Sequence, residues 1–242
     1  MAMPEADARL FDMMWTCRAM RRLKPDPVPE ALLLQLVDAA MHGPSGSNAQ
    51  NWRFVIVRDR AQKERLQAIT ARTWKFYQET IAAAPPRPGE DPAVRARTMA
   101  AGSWQVEHFA ELPAIICVGV ARDEVMAKVL ASPSTLVAAV RNFGVGGALK
   151  LVTGGVRTAG IADGSTAYPA VQNLLLAARA LGLGAVLTTQ NFFVPGAFEA
   201  VLGLPKTVTL AAVVLVGWPA GKFGPVTRPR PEAVVSWDRY TS

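Results

Sequence analysis

Between Ser165 and Leu181, apolar residues are spread almost all the way round a helix: Ala167, Ala170, Val171, Leu174, Leu175, Leu176, Ala177, Ala178, Ala180 and Leu181. A helix without a polar face must be covered on every side, so it belongs in the middle of a fold. Two other segments need the same cover. Pro113–Val120 and Val208–Val216 are nearly all apolar, the pattern of strands buried on both faces. With 242 residues, 50% hydrophobic and 19% charged, the chain can enclose them and is not dominated by disorder. Helices before, between and after a few apolar strands predict an α+β, three-layer fold.

The remaining elements follow from spacing and punctuation. A first helix is expected over Asp7–Arg18 and a second over Pro29–Met41, where Leu32, Leu33, Leu36, Val37 and Ala40 share a face. Gly43–Asn48 reads as a loop and Phe54–Val57 as a short strand, with Asp59 placed to cap a helix reaching about Ala83. Pro85, Pro86, Pro88 and Gly89 mark an exposed connection before a helix over about Ala93–Phe109. Arg141–Gly164 is glycine-rich and carries no clear assignment. Gly182 reads as the glycine that ends the apolar helix and leads into a strand. No linker divides the chain, so one domain is expected over residues 1–242, with a C-terminal arm from about 225.

Several function classes fall away. Cys17 and Cys117 cannot build a disulfide scaffold, and His42 and His108 lack metal-ligand spacing. Gly43-Pro44-Ser45-Gly46-Ser47 ends on Ser where a nucleophile elbow needs Gly, and neither histidine comes late enough to serve it. Gly144-Val145-Gly146-Gly147 lacks the third glycine of a dinucleotide fingerprint, and Gly217–Lys222 has the wrong spacing for a P-loop. The start of the sequence is acidic, and the longest apolar run, Leu210–Trp218, is about half a membrane span, so a cytoplasmic protein without a membrane partner is expected. Lys and Arg number 26 against 19 Asp and Glu, but no nucleic-acid motif accompanies them, and a nucleic-acid partner is not expected. An enzyme with so little side-chain chemistry has to borrow it from a cofactor.

Three segments offer the pieces of such a site. Arg18-Ala19-Met20-Arg21-Arg22-Leu23 concentrates guanidiniums that repel one another unless an anion joins them, and Arg forks suit a phosphate dianion. Pro44–Trp52 combines small residues, which let backbone approach a planar ring, with Ser and Asn donors and acceptors for its edge. Gly182–Thr189 can present main-chain amides. Taken alone, each also reads as a solvated basic turn, an ordinary loop and a helix exit.

Together these segments resemble the FMN-dependent nitroreductase family. Arg18–Leu23 looks like its Arg-x-Ser-x-Arg-x-aromatic start, and Pro44-Ser45-x-x-Asn48-x-Gln50-x-Trp52 like its Pro-Ser-x-x-Asn-x-Gln-Pro-Trp stretch. Ala170-x-Gln172-Asn173-Leu174-Leu175-Leu176-Ala177-Ala178 running into Gly182-Leu183-Gly184 is similar to its central helix and exit. The order and spacing cover about residues 10–235. Ala19 stands where Ser is usual, Cys17 where Arg is common, and Asn51 where Pro precedes the Trp.

The resemblance implies a three-layer α/β/α fold, a mostly antiparallel central sheet wrapped by helices, and an interlocked homodimer with FMN at the subunit interface. Within the Arg18, Ala19, Met20, Arg21, Arg22 segment, Arg18 and either Arg21 or Arg22 would hold the phosphate and ribityl chain or lie near the flavin O2. Arg228 and Arg230 would close on the same phosphate. Pro44, Ser45, Gly46 and Asn48 would reach the isoalloxazine from the opposite subunit, and Leu187, Thr188 and Thr189 its N5 side through main chain. It further implies hydride transfer from NADH or NADPH through N5 to a flat, electron-poor acceptor, a nitroaromatic or a quinone, in ping-pong turnover with no protein acid or base. A cation at ~4 Å from the reduced ring is worth ~4 kcal/mol at an effective dielectric of about 20, before desolvation. Trp74–Tyr77, Phe143 and Phe192-Phe193 are candidates to line the acceptor pocket or simply to pack. The alternatives are a flavoenzyme of the same fold with other chemistry, reductive dehalogenation or flavin fragmentation, and a non-catalytic flavin-binding protein.

Overall fold

Continuous apolar runs in the central strands decide the architecture. The computed structural model describes residues 8–240, the side chains of 8 and 155–159 excepted, so Asp7 lies outside the described residues. β3 (Ala114–Ala121) lies between β2 (Trp52–Val57) and β5 (Val208–Pro219), pairing antiparallel with both; Cys117 faces Val55 on one side and Val213 on the other. The far edge of β5 carries β4 (Gly184–Thr188) and, at its end, the two-residue β1 (Leu23–Lys24), again antiparallel.

Both faces of this sheet are covered. Ala114, Ile116, Val118, Ala212, Val214 and Val216 pack with Leu33, Leu36 and Leu174, from α2 (Glu30–Met41) and α7 (Gly155–Ala180). Ile115, Cys117, Val213 and Leu215 pack on the other side with Leu66 and Ile69 of α3 (Arg60–Glu79) and Phe198 of α8 (Ala197–Leu202). None of these strand residues is more than 1% exposed. Because successive side chains point to opposite faces, burial on both turns an alternating pattern into a continuous apolar run. Each such aliphatic side chain contributes about 1.5–3 kcal/mol. The expected three-layer α+β fold is the one observed.

Helix ends follow their local chemistry. Asp59 accepts the Gln62 N–H at 2.8 Å, as expected, and Asp91 caps α4 (Pro92–Glu107). α1 is Ala8–Thr16 and stops two residues earlier than expected; α3 stops at Glu79, not Ala83. At the end of α7, Gly182 takes φ +74°, and the Leu183 N–H reaches back to the Ala178 carbonyl at 2.8 Å, so chain direction reverses into β4. Where α3 meets the Phe109–Glu111 turn, the buried Lys63 donates to the Leu112 carbonyl at 2.6 Å. Burial pushes its pKa down, Arg60 adds to that and Asp59 opposes it.

The unassigned stretch Arg141–Gly164 is helical. α5 (Glu124–Leu130) is followed by α6 (Pro133–Thr153), interrupted by Gly144 at φ +70°, and α7 starts at Gly155. Among the described residues α6 alone is long and apolar enough by composition to cross a bilayer. The kink divides it into arms of about 15 Å, half of a hydrocarbon core. Much of its apolar surface is uncovered, Phe143 included, as are Trp15 of α1 and the C-terminal Trp237 and Tyr240, 86% and 87% exposed.

Candidate functional site

The arginine segment is fixed by its backbone and its apolar members. Leaving α1, the chain gives the Met20 N–H to the Ala185 carbonyl of β4 at 3.0 Å, and the Arg22 carbonyl accepts from Ala220 at 3.1 Å. Met20 and Leu23 are buried against Gly184, where a Cβ would lie 2.6 Å from the Leu23 side chain. Arg18 and Arg22 are therefore turned outward and Arg21 is left half-buried. Burial lowers the Arg21 pKa, Tyr77 opposes that shift, and the neighbouring Arg18 adds to it. Ion pairs among the described residues join Glu30, Glu64, Glu79 and Glu90 to Arg58, Arg60, Lys75 and Arg95, leaving Arg18, Arg21 and Arg22 without a carboxylate. A half-buried cation beside a like charge is costly until an anion arrives.

Two further elements converge there. β4 pairs with β5 along one edge only; the Ala185 carbonyl points outward to Met20, and antiparallel alternation turns the main-chain groups of Leu187 to the same outer edge. Leu187 and Thr188 are half-buried and Thr189 is exposed. Over this exit lies the end of α3. The Thr73 hydroxyl donates to Gln190 at 3.1 Å, Phe76 meets Phe193 edge-on at 5.5 Å, and Trp74 stacks on Tyr77 at 5.3 Å. Trp74 is held in turn by Ser103 at 3.1 Å and by Gly102, so it packs, whereas Phe76 and Phe193 stay 49% and 40% exposed.

The C-terminal arm starts beside the same cluster. Val226 donates to the Trp15 carbonyl at 2.9 Å, and a Cβ on Gly224 would lie 3.6 Å from the Arg18 guanidinium. Arg179, in the last turn of α7, donates to the Thr16 hydroxyl at 3.0 Å and stacks 4.2 Å over Phe223, tying α1 to the strap after β5. Arg228 donates to the Thr227 carbonyl at 2.8 Å, Arg230 is exposed, and among the described residues no hydrogen bond joins either to Arg18–Arg22.

The Pro44–Trp52 segment forms a tight left-handed loop. Ser47, Asn48 and Gln50 hold φ of 50°, 54° and 48°. Such conformations cost of order 1 kcal/mol each and cluster at functional sites. Ser45 offsets the cost twice: its carbonyl accepts the Asn48 N–H at 3.0 Å and its hydroxyl the Gln50 N–H at 3.1 Å. Asn51, where the family pattern has Pro, donates to the Ala121 carbonyl at 2.6 Å and so begins the β2–β3 pairing. The loop is anchored on α7. Thr166 accepts the Gly46 N–H on its hydroxyl at 3.3 Å and the Trp52 ring N–H on its carbonyl at 3.0 Å. Pro44, Gly46 and Asn48 are exposed and Ser45 half-buried.

Thr166 and Leu175, which accepts from Cys17 at 3.6 Å, are nine residues apart on α7, about 14 Å along its axis. Within one chain the arginine segment, the β4 exit and the α3 aromatics thus come together, and the Ser/Asn loop lies further along the helix. Tyr77 is expected from the sequence to line the acceptor pocket or to pack, not to lie beside Arg21, and no sequence pattern singles out Thr166 or Arg179. The last two left a trace, as polar side chains within an otherwise apolar helix.

Comparison with known proteins agrees with the fold. The model described as Nitroreductase family matches residues 16–148 and 160–218. An NADH dehydrogenase of Thermus thermophilus is 31% identical over 220 residues, 91% of each chain. Among solved structures, an oxidised iodotyrosine deiodinase bound to FMN and 3-iodo-L-tyrosine superposes with a TM-score of 0.64 at 22% identity, over 96% of this chain and all of that one. An NADPH:FMN oxidoreductase from Vibrio harveyi, complexed with NAD+, gives 0.62 at 15% identity, over 96% of this chain and 78% of that one.

Proposed function

The chain belongs to the nitroreductase family, and from that premise we propose that it is an FMN-dependent NAD(P)H oxidoreductase acting on flat, electron-poor acceptors such as nitroaromatics or quinones. The observation that carries this reading is the half-buried Arg21, set beside Arg18 with no carboxylate partner among the described residues. A phosphorylated, anionic cofactor supplies what that cluster lacks.

The residues present fit FMN. Arg18, flanked by Gly224 and the start of the arm, would bind the phosphate, with Arg228 and Arg230 closing over it. Arg21 would set its charge against the ring, and Arg22, exposed, would add only long-range attraction. The outward main chain of Leu187, with the chain leaving β4 through Thr188 and Thr189, would orient the ring, and Pro44, Ser45, Gly46 and Asn48 of a second copy would cover it. When bound, FMN supplies hydride transfer at N5 between a nicotinamide donor and the acceptor. Phe76 and Phe193 would exclude water from the acceptor side, and no side chain has to shuttle a proton.

A homodimer is part of the proposal. One chain separates the two halves of the site by about 14 Å along α7, and Trp15, Phe143, Trp237 and Tyr240 are uncovered in it. The likeness to an iodotyrosine deiodinase supports a second reading, reductive dehalogenation on the same fold. Anaerobic mixing of the FMN-loaded protein with NADH or NADPH, then with a nitroaromatic, a quinone or an iodotyrosine, separates the readings. Bleaching followed by reoxidation with the first two acceptors supports the proposal. Reoxidation by iodotyrosine alone favours dehalogenation, and a flavin that no nicotinamide bleaches points to a binding protein.

A further inference from the structure

Thr166 sits on the helix, not on the loop, yet it holds both ends of the left-handed segment. Its hydroxyl accepts the N–H of Gly46 at 3.3 Å, and its carbonyl accepts the ring N–H of Trp52 at 3.0 Å. The side chain is 4% exposed, so its hydroxyl has no ready exchange with water. Between these two points run Ser47, Asn48 and Gln50, all with positive φ.

The same stripe of α7 carries the rest of the approach. One turn on from Thr166, the backbone of Pro169–Ala170 lies so close to Gly43 that a Cβ there would be 2.9 Å from the Ala170 nitrogen. A turn further, Asn173 donates to the Ala39 carbonyl at 3.3 Å. Positions 166, 170 and 173 share one face of a helix, and that face meets the chain from Ala39 to Trp52. Proline at 169 offers no N–H, so at the closest approach the helix presents a smooth surface to Gly43. Apolar packing would satisfy the stripe without a hydroxyl at 166. The hydroxyl is needed only to fix the Gly46 amide, at the point where the chain enters its left-handed turns.

We propose that Thr166 is a positioning residue that locks the Gly46–Gln50 segment in its cofactor-facing shape before FMN arrives, acting through the loop and not by touching the cofactor. The role rests on the FMN reading given above. It predicts that the segment is preorganised in the FMN-free protein, and that replacing the hydroxyl by a methyl of similar size loosens the loop and leaves the sheet intact.

The test compares the wild type, Thr166→Val and Thr166→Ser. Amide hydrogen exchange is measured on the FMN-free chains, and FMN affinity by fluorescence titration. The Val variant is expected to exchange at Gly46 and Gln50 about tenfold faster, with β3 amides unchanged, and to bind FMN about tenfold more weakly. The Ser variant is expected to match the wild type in both. Unchanged loop exchange in the Val variant overturns the proposal, and so does acceleration extending through β3, which marks general destabilisation. If the Val protein does not fold, the Ser protein still decides: a loosened loop there overturns the role, and a wild-type loop supports it. Should the wild type not bind FMN, the cofactor reading fails, whereas the exchange data still judge the anchor separately.

Discussion

Arg21 and Arg22 are adjacent in sequence but differ in surroundings. Arg21 is half-buried, beside Arg18 and Tyr77, whereas Arg22 is exposed and its carbonyl accepts from Ala220. Charge-assisted hydrogen bonds are worth about 1.5–3 kcal/mol, so Arg21→Ala is expected to weaken FMN binding by roughly 10- to 100-fold. Arg22→Ala should change it by a few-fold at most. Fluorescence titration with FMN checks the asymmetry, and equal losses would contradict it. A second prediction concerns Cys117, whose thiol is pushed up from 9.0 to about 12 by burial, with Glu199 adding to the shift. Because the folded value is the higher one, the stabilisation from keeping it protonated is complete below pH 9 and is lost as pH rises toward 12. Cys117→Ala should flatten the alkaline fall in stability, measured by denaturant melts across that range. A slope unaltered by the substitution would show that other groups govern it.

At the scale of elements, two contacts invite direct tests. Gly43 has no room for a Cβ against Pro169–Ala170. Gly43→Ala should cost about 1–3 kcal/mol, the usual cost of overpacking, and lower Tm by several degrees in calorimetry. Asp59→Ala removes the cap on Gln62 and should cost about 1 kcal/mol. The sequence made the buried strands and the second part of α7, from Ser165, legible because burial on every side leaves long apolar runs, as in Ala114–Ala121 and Val208–Pro219. It left Arg141–Gly164 unread because Gly144, Gly146, Gly147 and Gly154 depress helix propensity where little packing reinforces it. β1, two residues long, has no period to detect. Of the candidate site, the arginine cluster and the Ser/Asn loop could be seen as local clusters of residue types. That Arg21 lies beside Tyr77, or that Thr166 holds Gly46, depends on tertiary contacts between distant segments and leaves no local signature.

At the scale of the whole molecule, the uncovered apolar surface and the divided site lead to the same expectation. Val234, Val235, Trp237 and Tyr240 near the C-terminus are apolar, yet within one chain they are 48–87% exposed. Sedimentation should show a particle of about twice 25.9 kDa. Trp237→Ala with Tyr240→Ala should move it toward the monomer and reduce FMN retention in parallel. A wild-type monomer that binds FMN fully would remove the second chain from the site. Whether the arginine cluster gathers one FMN per chain is decided by equilibrium dialysis of the purified protein against FMN, with occupancy read from the flavin's visible absorbance. Saturation at one FMN per chain is expected, with the Arg18→Ala, Arg21→Ala double variant left largely colourless. A wild-type protein that retains no flavin, or a double variant that retains it fully, would contradict it.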